Sequence, residues 1–89
     1  MRESVKVGDL VQLDSSQSHT CQLVKQIEPG NWFPTTYFSR IKGGTVALII
    51  SVLPVSGGMV FLDCETQKTF ILLDEKRTRM KNLSENMIP

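Results

Sequence analysis

The sequence predicts a single all-β domain, and three observations carry that prediction. Apolar residues recur at every second position through much of the 89-residue chain, the period of a strand with one buried face. Short segments rich in Gly, Pro, Asn, Asp and Ser, the residues that turn a chain, separate these runs. Residues 45–73 hold three such runs joined by short polar connections, the pattern of an antiparallel meander.

The first strand is expected within Val5–Leu13, where Val5, Val7, Val11 and Leu13 share one parity. Gly8-Asp9 inside it predicts a bend or bulge. Asp14 to His19 is a polar loop. Thr20–Ile27 is a second strand with Cys21, Leu23 and Ile27 on one face, and it is expected to return along the first strand as a long hairpin. Glu28-Pro29-Gly30-Asn31 is a turn, because Pro presets φ and Gly and Asn tolerate positive φ. In Trp32–Gly44 that follows, Thr35 or Thr36 is placed to cap one short helical turn carrying Phe38 and Ile41 inward, stopped by Gly43-Gly44.

Thr45–Leu53 is the clearest strand. Val46, Leu48, Ile50 and Val52 make one face wholly apolar, and Ala47, Ile49 and Leu53 make the other partly so. A strand apolar on both faces belongs in the middle of a sheet. Met59–Glu65 follows with Val60, Leu62 and Cys64 on one face, then Thr69–Leu73. Leu48, Ile50, Leu62 and Leu72 are the expected core. Residues 74–83 read as a turn and a last short strand using Thr78, Met80 and Leu83. The competing pattern is a helix with Asp74 at its N-cap and Met80, Leu83 and Met87 in line.

These elements in order make a small barrel over residues 1–89, with 14–44 as a long loop or hairpin excursion and 84–89 as a frayed tail. Closing a sheet removes edges that invite aggregation. Gly8-Asp9-Leu10-Val11, then Gly44-Thr45-Val46-Ala47-Leu48-Ile49, then two strands joined by a tight hairpin, resemble the small SH3-like barrels often encoded by tailed phages. The resemblance implies an aromatic-rich first loop used for binding, and an accessory or structural role in a larger assembly. The first loop is longer here than in that family, and Phe61-Leu62-Asp63 stands where it often has Trp.

Ten Lys and Arg against nine Asp and Glu leave a net charge of +1, without the strongly basic balance of a general nucleic-acid binder. The N-terminus has no signal-peptide pattern. The longest apolar run, Val46–Ile50, is far short of the roughly 20 residues that span a bilayer. The expectation is an intracellular, cytoplasmic protein with no membrane partner. Cys21 and Cys64 are then two buried, reduced thiols. At this length both independent folding and homo-oligomerisation are open.

Trp32, Phe33, Tyr37 and Phe38 are four of the six aromatics in the chain. They are expected to plug the barrel mouth, since a stretch this long needs an anchor. The alternative is a platform for a Pro-rich segment or stacked bases. Lys76, Arg77, Arg79 and Lys81 form a basic run beside Asp74 and Glu75. Its ordinary role is a solvated edge, and its functional one a contact for phosphates. His19 among Ser15, Ser16 and Ser18 lacks the third orienting group of a nucleophile–base pair. Lone His19, Cys21, Asp63 and Cys64 lack zinc-site spacing. The expectation is a non-enzymatic interaction module, free of metal or cofactor, that binds a protein segment or a larger assembly. The alternative is a nucleic-acid-binding barrel using residues 76–81.

Overall fold

The computed structural model describes residues 5–54, 56–75 and 77–84. They form seven strands: β1 (Leu10–Leu13), β2 (His19–Glu28), β3 (Asn31–Ile41), β4 (Val46–Val52), β5 (Met59–Asp63), β6 (Thr69–Leu72) and β7 (Met80–Asn82). All belong to one antiparallel sheet in the order β3-β2-β6-β5-β4-β1-β7. The meander β4-β5-β6 is present, and β4 lies centrally between β5 and β1 as its two apolar faces require. The last short strand pairs with β1. The sheet is not closed: β3 and β7 are its two ends.

Three expectations about the first half of the chain are corrected. β2 does not return along β1; it pairs with β3 and β6, while β1 pairs with β4 and β7. Residues 14–44 are chiefly a β-hairpin, and the helical turn at Thr35 or Thr36 is absent because those residues lie within β3. Pro29 and Gly30 form its two-residue connection, with Gly30 at φ +82° as a type II turn demands. The inward face of β2 is interrupted at Ile27, which the register leaves as an extra residue between Gln26 and Glu28; Ile27 is exposed. Val7 is likewise exposed, because the chain bends at Gly8 (φ +98°) before β1 begins.

Side chains alternate across a strand, so register assigns every residue to a face. Val11, Leu13, Cys21, Ile41, Ala47, Ile49, Met59, Phe61, Phe70, Leu72 and Met80 form one buried cluster drawn from all seven strands. At its middle Phe61 and Phe70 stack with ring centroids 5.4 Å apart, within the favourable range for aromatic pairs. The expected core is therefore on the wrong side at three of four positions. Leu72 is buried, but Leu48, Ile50 and Leu62 are only half-buried on the opposite, outer face. Both faces of β4 are apolar, so alternation alone does not distinguish them; the large rings of Phe61 and Phe70 decide. A smaller outer cluster joins Val24, Leu53 and Val60, with Trp32, Ile50 and Ile71 packed against it. A bulge at Ile50 precedes the turn that brings Leu53 into this cluster.

The Gly8-Asp9 pair ties the two chain ends together. Asp9 is buried, and its Oδ2 accepts hydrogen bonds from the Lys6 backbone N–H and from Asn82 Nδ2, both at 3.0 Å. Next to it, the Leu10 N–H donates to Ser84 Oγ at 2.8 Å and the Leu83 N–H to the Leu10 carbonyl at 2.7 Å. Ser84 is thus anchored rather than frayed; residues 85–89 of the expected tail lie outside the described residues. Gly43 is needed for another reason: a Cβ there would collide with the backbone carbonyl oxygens of Gln17, Asp14 and Ser15.

Urea unfolding checks the assignment of faces. Phe61→Ala should cost about 3–5 kcal/mol, and Leu48→Ala distinctly less. Equal losses would invert inside and outside. Asp9→Ala should cost about 1–3 kcal/mol, because it strands buried donors.

Candidate functional site

The β2–β3 hairpin is the part of the sheet with least covering it. β6 pairs with β2 only at Cys21–Leu23, while β2 continues to Glu28. The described residues beyond, from Lys25 to Gly30, are all exposed. The Asn31 side-chain amide donates to Glu28 Oε1 and steadies the tip. Along β3, Tyr37 is 70% exposed, Phe38 60% and Phe33 45%. Aromatic side chains at such exposure lose the burial that usually stabilises them.

The plug expectation is therefore corrected: Phe33, Tyr37 and Phe38 are exposed, and Trp32 is half-buried against the outer cluster of Val24, Leu53 and Val60 rather than in the main core. Trp32 pairs with Gln26, on the same side of β2 as Val24. Between Phe38 and Pro34 the register of β3 against β2 slips by two residues. Thr35 holds the resulting bulge: its hydroxyl donates to the Leu23 carbonyl at 2.8 Å and accepts from the Tyr37 N–H at 3.1 Å, while Gln22 Nε2 donates to the Thr35 carbonyl at 2.6 Å. Phe38 pairs with Gln22 and Phe33 with Lys25, on opposite faces of the hairpin. Pro34 has no N–H, which limits ladder formation along the free edge of β3.

The basic run is dispersed. Lys76 lies outside the described residues. Arg77 and Asp74 approach to 3.9 Å with both side chains largely in solvent, a pair worth little. Arg79 and Lys81 are exposed on either side of buried Met80, and with Gln12, Asp14, Ser15 and Ser16 they line an open groove of about 500 Å³. Asp14 in that groove is held below the ordinary carboxylate range, chiefly by the Ser16 backbone N–H and then by its hydroxyl, with lesser help from His19 and Arg79. Its favourable contacts are present above the ordinary carboxyl pKa and lost as pH falls through the depressed one.

The polar loop before β2 is occupied by structural bonds. His19 is buried as the first residue of β2, and its Nε2 is 2.9 Å from the Asp14 carbonyl. Ser18 Oγ accepts from Arg40 Nη2 at 2.8 Å, and Ser16 Oγ donates to Asp14. Among the described residues, no group of three His, Cys, Asp or Glu is placed to hold a metal ion, and no helix is long and apolar enough to cross a membrane. Cys21 is buried, and burial pushes its thiol pKa up; Cys64 is exposed in the turn after β5, against expectation. That turn needs the carboxylate of Asp63, which accepts from the Glu65 N–H at 2.8 Å and pulls the chain away from the core.

The outer face of the sheet is apolar in part and only half-covered. Leu10, Leu48, Leu62 and Thr69 stand side by side across β1, β4, β5 and β6 on that face. The only sequence signal was the two-sided apolar pattern of β4. No protein-family model, curated protein or solved structure matches the chain.

Two measurements check this geometry. Tyr37→Ala and Phe38→Ala should each shift stability by no more than about 0.5 kcal/mol, whereas Trp32→Ala should cost clearly more. A thiol reagent should modify Cys64 in the native protein and Cys21 only after unfolding; equal native reactivity would contradict the burial of Cys21.

Proposed function

We propose that this protein is a non-enzymatic interaction module that docks a protein partner through the β2–β3 hairpin. The observation that carries the reading is the exposure of Phe33, Tyr37 and Phe38 on one strand at the end of the sheet. Aromatic side chains are enriched in the energetically dominant parts of protein interfaces. Here they sit on a hairpin that Trp32 braces from beneath, so binding would not have to order them from a disordered loop.

We read the curled seven-stranded sheet as a variant of the small SH3-like barrel, on the order of its elements and the short Gly8-Asp9-Leu10-Val11 opening. In that reading the hairpin is the enlarged first loop, and an accessory or structural place in a larger intracellular assembly suits a chain this small. The nucleic-acid alternative draws on Arg79 and Lys81 in the groove beside β7. It is the weaker reading, because Arg77 lines a separate groove with Asp74, Gln17 and Ser18, and the exposed aromatics are on the other end of the sheet.

A photoreactive phenylalanine analogue at Tyr37 tests the proposal. Irradiation in the producing cells should yield discrete protein adducts that disappear when Phe33 and Phe38 are both replaced by Ala. No adduct, together with binding of a labelled oligonucleotide that weakens steeply with salt, would overturn it in favour of nucleic acid.

A further inference from the structure

We infer that the free edge of β3, from Phe38 to Ile41, takes up an extended segment of a protein partner as a further strand of the sheet. The inference rests on the reading of the hairpin as a docking element and names the form in which its partner binds.

Main-chain direction alternates along a strand, so each residue points its N–H and C=O to one neighbouring strand or to the other. The Leu73 N–H donates to the Thr20 carbonyl at 3.3 Å, and Thr69 Oγ1 donates to the Val24 carbonyl at 3.1 Å. Thr20, Gln22 and Val24 therefore face β6. Cys21 and Leu23 face β3, in keeping with the bond from Thr35 Oγ1 to the Leu23 carbonyl. His19 pairs with Ile41 and Cys21 with Ser39, so Ile41 and Ser39 direct their main-chain groups at β2. Phe38 and Arg40, opposite Gln22 and Thr20, direct theirs away from it. Since β3 ends the sheet, an N–H and a C=O at each of these two residues are presented to an incoming strand.

The devices that blunt an edge are a proline, a bulge and charge. On β3 the first two sit together ahead of this run. Pro34 pairs with Val24, which faces β6, so its missing N–H is on the free side. The register slip held by Thr35 comes next. From Phe38 to Ile41 neither device recurs, and the one charged side chain, Arg40, is bonded back to Ser18 Oγ. The opposite end of the sheet is protected differently: β7 is three residues long, with exposed Arg79 and Lys81 at its margin. The open edge is thus on the same strand as the exposed aromatics.

The geometry points to the occupant. Main-chain donors and acceptors repeating at every second residue match another strand, whereas a helix has its own bonded internally. Strand addition takes its affinity from the main-chain ladder and its selectivity from alternate side chains. Exposed Phe38 favours an apolar side chain directly opposite it. The partner segment is therefore extended, free of proline where it pairs, and apolar opposite Phe38. So short a ladder makes a small contact, of the kind found in transient complexes.

Amide exchange read residue by residue on the isolated full chain tests the edge. Phe38 and Arg40 should exchange rapidly, with Ser39 and Ile41 protected. Protection of all four would mean that the edge is already covered, by this chain or by a second copy, and would overturn the proposal. The occupant is tested with the photoreactive residue at Tyr37. Arg40→Pro removes an N–H that makes no bond to β2 and should abolish the adducts, whereas Arg40→Ala keeps that N–H and should retain them. Loss in both variants, or in neither, overturns strand addition and leaves the hairpin reading standing. No adduct without either substitution overturns both. Exchange measured on the purified adduct gives a readout that does not depend on Arg40→Pro folding: the Phe38 and Arg40 amides should become protected, and rapid exchange there would refute the proposal.

Discussion

The stack of Phe61 on Phe70 decides which side of this sheet is the inside. With a single sheet and no helix to lay against it among the described residues, the only way to bury apolar side chains is to curl the sheet over them. The two rings supply the bulk at the centre of that curl. Ala47 and Ile49 on β4, Val11 and Leu13 on β1, and Cys21 on β2 then follow to the same side by the two-residue period. Even the three-residue β7 contributes Met80 to the core, and the Asp9 carboxylate holds it there through Asn82. A small domain has few kcal/mol in reserve, so each of these contributions matters.

The same curl explains what is left outside. A sheet has two faces, and β4 is apolar on both, so turning Ile49 inward turns Leu48 outward. Part of the outer face is covered from within the chain by Trp32 and Leu53. The hairpin that delivers Trp32 then extends past the last rung of β6 and carries Phe33 with it, while Tyr37 and Phe38 are exposed on the end strand. Core packing, outer apolar face and exposed aromatic strand are therefore linked, and all trace to one choice of face.

Much of this was legible in the sequence. The meander over 45–73, the turn at Pro29-Gly30, the bend at Gly8-Asp9 and the late strand near Met80 were all readable from alternation and turn chemistry. Long-range pairing was not: nothing local tells β2 to join β6 rather than β1. Parity was readable only where one face was polar, so Leu48 and Ile50 on β4 were misassigned together with Leu62, the β5 residue that pairs with Leu48. Bulges account for further misses: the extra residue at Ile27 changes which side Glu28 faces, and the slip of two at Thr35–Tyr37 changes the partners of Pro34 and Phe33 but not their side. The aromatic cluster was found by composition, but its exposure follows from β3 standing at the end of the sheet, a long-range placement that composition does not reveal.

The most direct test of this account is paramagnetic relaxation by a soluble, uncharged probe, read at each aromatic ring by NMR. Ring protons of Tyr37 and Phe38 should relax strongly, those of Phe33 somewhat less, those of Trp32 weakly, and those of Phe61 and Phe70 hardly at all. Strong relaxation at Phe61 and Phe70, with Tyr37 and Phe38 protected, would mean that the sheet curls the other way and that the docking surface described above is its core.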